Sequence, residues 1–232
     1  MKNKYSIHRF SIVFLGLTLA LILVSWIGSI YGVGEVQSLL SADGIRWLLG
    51  HVVENYVQAP ALGVMLILFM GLGVVVRSGL YDVLKRLGQK EKQLSRKERR
   101  ALTLAVAVGG FYGLLVILSL FLPWNFLLGI TGSWLHSPFS KGLVYILSVG
   151  VGLSGMVYGY MSDAFHRLSD VFEGMSFLIA RSASYWVALF FVVQFFSSLE
   201  YTRLMEWVKV DGGILDILYP LFCYIPLLFM RK

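Results

Sequence analysis

The sequence is poor in charged residues and contains a single cysteine. Charged residues make up 14% of its 232 residues and hydrophobic residues 57%, whereas a soluble domain carries roughly 25% charged residues. With a mean hydropathy of +0.75, a fold surrounded by water would expose far too much apolar surface. The lone Cys223 excludes an internal disulfide. The composition predicts an integral membrane protein, and the absence of a low-complexity segment indicates one membrane domain over residues 1–232.

The motifs of common enzyme classes are also missing. The chain contains no Walker loop, no HExxH, no nucleophile elbow and no cysteine–histidine spacing typical of a metal site. Its four histidines lie far apart in the sequence. We therefore predict a protein that is not an enzyme and has no cofactor or metal.

Six apolar stretches approach or reach the length of a membrane-spanning helix, which needs about 20 predominantly apolar residues. They cover residues 10–34, 59–76, 101–122, 142–160, 182–199 and 212–230. The last is the least regular, because it contains Asp216, Pro220 and Pro226. The sequence thus predicts an all-α, polytopic membrane protein with about six transmembrane helices.

Basic residues are concentrated on one side of this arrangement. The segment 85–100 alone carries eight Lys and Arg residues, and with six crossings 16 of the 20 basic residues fall on the side that holds both termini. Because Lys and Arg are enriched in cytoplasmic loops, we predict a bacterial inner-membrane protein with cytoplasmic N- and C-termini and a basic cytoplasmic loop at 85–100.

The basic loop adjoins helix ends and lacks the interleaved aromatic residues of a nucleic-acid site. Anionic lipid headgroups attract such a segment by about 1 kcal/mol per basic residue near the surface. We therefore expect the loop to contact anionic lipids of the bilayer, and no nucleic acid.

Three segments between the spans have apolar residues at helical spacing, as amphipathic helices do. They are 41–56, 161–180 and 200–210. We predict surface helices, the first and third on the outer side and the second on the cytoplasmic side. Ser41 is a suitable N-cap for the first.

Two further features bear on assembly and function. Gly109/Gly113 and Gly155/Gly159 have G-x-x-x-G spacing, which lets helices approach closely. Asp216 falls inside an apolar stretch, where a carboxylate is a functional hypothesis by default. Two explanations for Asp216 stay open, a place in a broken helix that exposes backbone to ions, or a place near the outer headgroups.

Two ordered sets of residues carry a resemblance to a known family. The first set is Leu39-Leu40, Ser41, Gly44, Trp47, Asn55-Tyr56, Leu62-Gly63, Gly71, Gly73 and Ser78-Gly79-Leu80. The second is Ser137-Pro138-Phe139, Gly142-Leu143-Val144, Tyr158-Gly159, Gln194-Phe195, Pro220-Leu221, Tyr224 and Pro226-Leu227. In this order the two sets resemble the AbgT family, the p-aminobenzoyl-glutamate transporters.

The chain also departs from the family pattern. The resemblance implies that two stretches are missing, one between Leu80 and the basic segment and one between Leu204 and Asp211, where the family has its re-entrant hairpins. Gly212-Gly213 replaces the serine pair that follows the aspartate in the family. What remains resembles the scaffold that forms the family's dimer core.

The resemblance implies transport of p-aminobenzoyl-glutamate or a related anionic compound, driven by a Na⁺ or H⁺ gradient. The alternative is a non-transporting scaffold or partner subunit. Asp211 and Asn55 match family site motifs, and Asp216 joins them as a candidate for substrate or ion binding. We predict that the chain forms a homodimer and that it has an unknown membrane partner.

Overall fold

The computed structural model describes residues 2–32, 36–88, 94–121, 137–208 and 212–229, and within these ranges the regular structure is α-helical. The helices are α1 Lys2–Ile30, α2 Ala42–Val57, α3 Leu62–Arg77, α4 Leu80–Gly88, α5 Arg96–Phe121, α6 Pro138–Met161, α7 Leu168–Arg181, α8 Ala183–Thr202, α9 Leu204–Trp207 and α10 Gly212–Leu228. Each of the six predicted spans coincides with a helix, and the predicted all-α class is confirmed.

Five helices in the described ranges are long and apolar enough to cross a membrane. They are Ile7–Ile30, Ala42–Arg77, Arg96–Phe121, Pro138–Met161 and Ala183–Thr202. The span Ala42–Arg77 is interrupted at residues 58–61, where Pro60 separates α2 from α3, because proline removes a helix hydrogen bond. The last predicted span is α10, which has 17 residues and contains Pro220 and Pro226, so the sixth crossing stays a prediction.

The predicted loop at 85–100 is partly wrong. Residues 85–88 belong to α4 and residues 96–100 to α5, and residues 89–93 lie outside the described ranges. A capping box begins α5: Glu98 N donates to Ser95 Oγ (3.1 Å), and Ser95 N donates to Glu98 Oε2 (2.9 Å). These reciprocal bonds satisfy free N–H groups at the start of the helix. The helix therefore begins inside the charged segment.

The three predicted amphipathic segments all contain helices, namely α2, α7 and α9. Ser41 caps α2 as predicted, since its Oγ accepts from Gly44 N at 3.0 Å. Asp170 holds the start of α7, where its carboxylate accepts from His166 N at 2.7 Å and from Arg167 N at 2.9 Å. The positions of α7 and α9 at the membrane surfaces stay predictions. The α2 helix instead packs along the predicted span α8, from Trp47 beside Tyr201 to Tyr56, whose OH donates to Trp186 O at 3.0 Å, and this does not fit the predicted surface position.

The chain forms two compact units, Met1–Gly63 with Ser182–Lys232, and Val64–Arg181. One membrane domain over residues 1–232 stays a prediction. In the first unit α8 is central. The rings of Phe14 and Phe195 lie 5.5 Å apart, and Leu21 joins Leu199 in one buried cluster. Residue numbers in α1 and α8 rise together along this contact, so the two helices are parallel.

Two other helices run antiparallel to α8. Gln194 Nε2 donates to Val52 O at 2.9 Å, and the rings of Tyr201 and Trp47 are 4.3 Å apart, so residue numbers in α2 fall as those in α8 rise. On α10, the Tyr219 ring lies 5.3 Å from that of Phe196, and further along Tyr185 OH donates to Cys223 O at 3.2 Å.

In the second unit α3 and α6 are parallel and α5 is antiparallel to α6. Ser148 Oγ donates to Ile67 O at 2.5 Å. Tyr112 OH donates to Ile146 O at 3.1 Å, and Lys97 pairs with Asp163 at the other end of α5 and α6. The hydrogen bond from the Lys97 ammonium, together with its positive charge, holds the pKa of the Asp163 carboxyl below its usual value, because both favour the ionised form.

The glycines of the G-x-x-x-G spacings are used mainly inside this unit. A Cβ at Gly109 would lie 2.5 Å from Ser154 Oγ, and one at Gly155 would lie 3.0 Å from Val75 Cα. Packing is therefore their role, as the sequence favours. Gly113 differs, since a Cβ there meets no atom within 4 Å. The predicted homodimer stays a prediction, and Gly109 and Gly155 are not free to form it.

Candidate functional site at the end of helix α8

The polar candidate residues meet where α8 ends. After Thr202 the chain turns at Arg203, whose φ of 53° and ψ of 20° are left-handed, a conformation that costs a non-glycine residue about 1–2 kcal/mol. Arg203 N donates to Glu200 O at 3.1 Å, and Gln37 N donates to Thr202 O at 3.1 Å. These bonds fix the turn and bring the segment before α2 beside it.

An aromatic stack forms one wall of the site. The Trp47 ring lies between Tyr201, at 4.3 Å and 22°, and His51, at 5.4 Å and 18°. His51 Nδ1 is also 2.9 Å from Trp47 O. Because Trp47 and His51 are four residues apart on α2, they lie on one helix face, and that face is turned to the end of α8.

The first cleft, which we call the Asn55 cleft, lies beside this stack and has a volume of about 360 Å³. Its lining consists of Gln37, Trp47, Asn55, Ser197, Glu200, Tyr201 and Arg203. Asn55 Nδ2 is buried and has no hydrogen-bond partner among the described residues. An unpaired buried donor costs about 1–3 kcal/mol, so a ligand acceptor or a water at this atom would stabilise the cleft.

The second cleft, the Asp216 cleft, has a volume of about 280 Å³. Its lining includes the carboxylates of Glu200, Glu206 and Asp216 and one guanidinium, that of Arg203. This excess of negative charge favours cations over anions. No group of three or more potential ligands in the described ranges is arranged to hold a metal ion.

The structure therefore brings two of the three predicted site residues into adjoining clefts. Asn55 lines one and Asp216 the other, and Ser197, Glu200 and Arg203 line both. Asp216 is exposed on the first turns of α10. Asp211 lies outside the described residues. The Asp216 side chain borders a polar cleft.

Sequence reasoning missed Glu200 and Arg203 as site residues. The signal was available, because Arg203 is one of only four basic residues on the predicted outer side and lies four residues after the predicted span 182–199. Glu200 and Arg203 lie near Asn55 because α2 and α8 pair antiparallel, and these helices are more than 120 residues apart in the chain. No local sequence pattern predicts that pairing.

The model of the AbgT putative transporter family matches residues 9–87 and 84–218. The fold is similar to that of MtrF from Neisseria gonorrhoeae, whose structure is described as illuminating a class of antimetabolite efflux pumps, with a TM-score of 0.74 and 15% identity over 95% of this chain and 80% of that one. It is also similar to the YdaH transporter of Alcanivorax borkumensis, with a TM-score of 0.66 and 19% identity over 90% of this chain and 74% of that one. A search of curated proteins found no match.

Proposed function

Since the chain belongs to the AbgT putative transporter family, we propose that it is the family's membrane scaffold and that it does not move substrate by itself. Family membership confirms that it is a multi-pass membrane protein of a transporter family and not an enzyme. The scaffold proposal goes further. It depends on two connections between helices that are too short to hold a re-entrant hairpin.

The lengths of two connections carry the proposal. Only residues 89–95 separate α4 from α5, and only residues 208–211 separate α9 from α10. A hairpin that enters the membrane to its midplane descends about 15 Å, half of a hydrocarbon core of about 30 Å. At 1.5 Å per helical residue, each leg needs about 10 residues. Neither connection is long enough for two such legs.

The family match supports the same conclusion. It consists of two segments, 9–87 and 84–218, that meet at residues 84–87, which is where the first hairpin region is expected to be missing. A secondary transporter needs a midplane site formed by discontinuous helices, together with an element that exposes it to each side in turn. We infer that a partner subunit supplies those elements if the complex transports.

The helix directions support the proposed topology. The α1 and α8 helices are parallel and α10 is antiparallel to them within the first unit, as expected for the first, fifth and sixth of six alternating crossings. The rings of Phe10 and Phe229 lie 6.2 Å apart, which supports the proposal that both ends of the chain are on one side. The excess of basic residues on that side supports a cytoplasmic location in a bacterial inner membrane.

Co-purification tests the scaffold proposal directly. The tagged chain is purified from its native membrane in a mild detergent, and the eluate is analysed by mass spectrometry against an untagged control. We expect a second membrane protein in stoichiometric amount. A homodimer of this chain alone that takes up substrate when reconstituted would contradict the proposal.

A second candidate function is binding of p-aminobenzoyl-glutamate or a related aromatic anion. The Asn55 cleft favours it, because Trp47 and Tyr201 supply aromatic surface and Arg203 supplies positive charge beside Glu200. Asn55 Nδ2 is a buried donor that has no partner among the described residues. These groups complement an aryl ring that carries carboxylates. A Na⁺ or H⁺ gradient would be the driving force if the bound compound is transported.

Titration calorimetry of the purified chain with p-aminobenzoyl-glutamate tests this candidate. If Asn55 donates to a carboxylate, Asn55→Ala should weaken binding by about tenfold or more, since a hydrogen bond to a charged group contributes about 1.5–3 kcal/mol. Gln58→Ala is the matched control, because Gln58 is exposed at the end of the same helix. Equal affinities for the two variants would exclude the Asn55 cleft as the binding site.

A further inference from the structure

The second unit contains a groove between α5 and α6 that the scaffold proposal does not use. Its volume is about 530 Å³, and α4 closes one end of it through Leu80 and Leu84. On α5 the lining extends from Leu102 to Ile117, which corresponds to about 22 Å of helix. This is longer than one bilayer leaflet, whose hydrocarbon layer is about 15 Å thick.

The groove offers no free polar group. Its two side chains with hydroxyl groups are both engaged, since Tyr112 OH donates to Ile146 O at 3.1 Å and Ser154 Oγ donates to Gly150 O at 3.0 Å. The remaining lining is aliphatic or glycine. Because a polar ligand would lose its hydration here without compensating hydrogen bonds, the groove is suited to a hydrocarbon chain.

A basic residue marks one end of the groove. Arg99 precedes the lining residues Leu102 and Val106 by three and seven positions on α5, so it lies on the same helix face. Its side chain is exposed and forms no ion pair within the described ranges. The adjacent carboxylate of Glu98 is already occupied, because it accepts from Arg86 Nη2 at 2.5 Å and from Ser95 N at 2.9 Å.

We propose that this groove binds one acyl chain of an anionic phospholipid, with the phosphate of the headgroup at Arg99. The lipid belongs to the leaflet on the side of the basic segment 85–100. Apolar walls hold the chain by burial of hydrocarbon, and the guanidinium selects a negatively charged headgroup, since arginine binds phosphate with two parallel hydrogen bonds.

Native mass spectrometry of the full chain tests the proposal. The purified protein is exposed to phosphatidylglycerol and phosphatidylcholine with identical acyl chains, and the bound lipid is counted. We expect one retained phosphatidylglycerol and about tenfold less phosphatidylcholine. Arg99→Gln should remove this preference. Arg100→Gln should keep it, because Arg100 lies on another face of the same turn.

A second pair of variants tests the acyl site independently of charge. Gly113 lines the groove and a Cβ there meets no atom within 4 Å, so Gly113→Leu should fill the groove and abolish retention of both lipids. Gly110→Leu is the control, since Gly110 also has open space beside it and does not line the groove. Circular dichroism establishes that both variants are folded.

Three results would overturn the proposal. One is equal retention of the two phospholipids by the unaltered chain. Another is full retention by a folded Gly113→Leu variant, which would place the lipid elsewhere on the basic segment. The third is a Gly113→Leu variant that changes from dimer to monomer while its lipid content stays the same, which would assign the groove to a second copy of the chain.

Discussion

Gly71 lies at the contact of α3 with α6, where the space beside its Cα is already filled. A Cβ at this position would be 2.3 Å from Ser148 O and 2.5 Å from Ser148 Oγ. Backbone atoms cannot yield as a flexible side chain can, so Gly71→Ala forces the two helices apart. Overpacking of this kind typically costs about 1–3 kcal/mol.

We therefore expect Gly71→Ala to lower the thermal unfolding midpoint of the detergent-solubilised protein, measured by circular dichroism. Gly63→Ala is the control on the same helix, because a Cβ there meets no atom within 4 Å. A Gly71→Ala variant as stable as Gly63→Ala would show that α3 and α6 do not approach this closely.

Individual site residues were predictable only where a motif or an unusual position in the sequence identifies them. Asn55 was found through a motif and Asp216 through its unusual position in an apolar stretch, and both border a cleft. Arg203 was counted only as a charge that sets topology. Its role depends on a left-handed turn and on the neighbouring α2 helix, and both are consequences of tertiary packing that the local sequence does not encode.

At the scale of single elements, the start of α7 provides a pH-dependent test. The hydrogen bonds from His166 N and Arg167 N hold the pKa of the Asp170 carboxyl below its ordinary value. A carboxylate with a lowered pKa in the folded state stabilises the fold above its unfolded pKa, and this stabilisation is lost as the pH falls through the folded pKa.

We expect the thermal midpoint of the unaltered chain to fall between about pH 5 and pH 3, and Asp170→Asn to reduce that dependence. Glu173→Gln on the same helix is the control, because the Glu173 carboxylate pairs with Arg77 at 3.9 Å and accepts no backbone hydrogen bond within the described residues. Identical pH profiles for all three proteins would contradict this role of Asp170.

The long helices were predictable because apolar runs of this length have few alternatives in a membrane. The observed helix bounds differ from the predicted span bounds where an N-cap residue sets the start. For example, α6 begins at Pro138, directly after the N-cap Ser137, and this is four residues before the predicted span. The α4 helix was missed although Leu80, Val83, Leu84 and Leu87 have the i, i+3, i+4, i+7 spacing of an amphipathic helix, because residues 85–88 were assigned to the basic loop. Leu80 and Val83 pack in the core of the second unit.

At the scale of the whole molecule, the distribution of Lys and Arg predicts the orientation in the membrane, and cysteine labelling measures it. Cysteines introduced at Gln89 and Ser133, both outside the described residues, test the two sides in a Cys223→Ala background. In intact cells we expect an impermeant maleimide to modify the cysteine at 133 and not the one at 89, because Lys and Arg mark the cytoplasmic side. Modification at position 89 alone would reverse the topology.

Helix directions were predictable from the order of crossings, but helix neighbours were not. The pairing of α1 with α8, and of α3 with α6, joins segments far apart in the chain, and it is specified by the complementary shapes of glycine and side-chain surfaces. The resemblance to the family was predictable from the sequence and is confirmed, although identities to the solved relatives are only 15% and 19%.

Uptake by proteoliposomes is the measurement that bears most directly on the scaffold account. Purified chain is reconstituted, Na⁺ and H⁺ gradients are imposed separately, and entry of p-aminobenzoyl-glutamate is compared with that into empty vesicles. Because residues 89–95 and 208–211 leave no room for re-entrant hairpins, we predict no uptake above the empty vesicles. Gradient-dependent uptake that Asp211→Ala or Asn55→Ala abolishes would contradict the account and show that the chain transports without those elements.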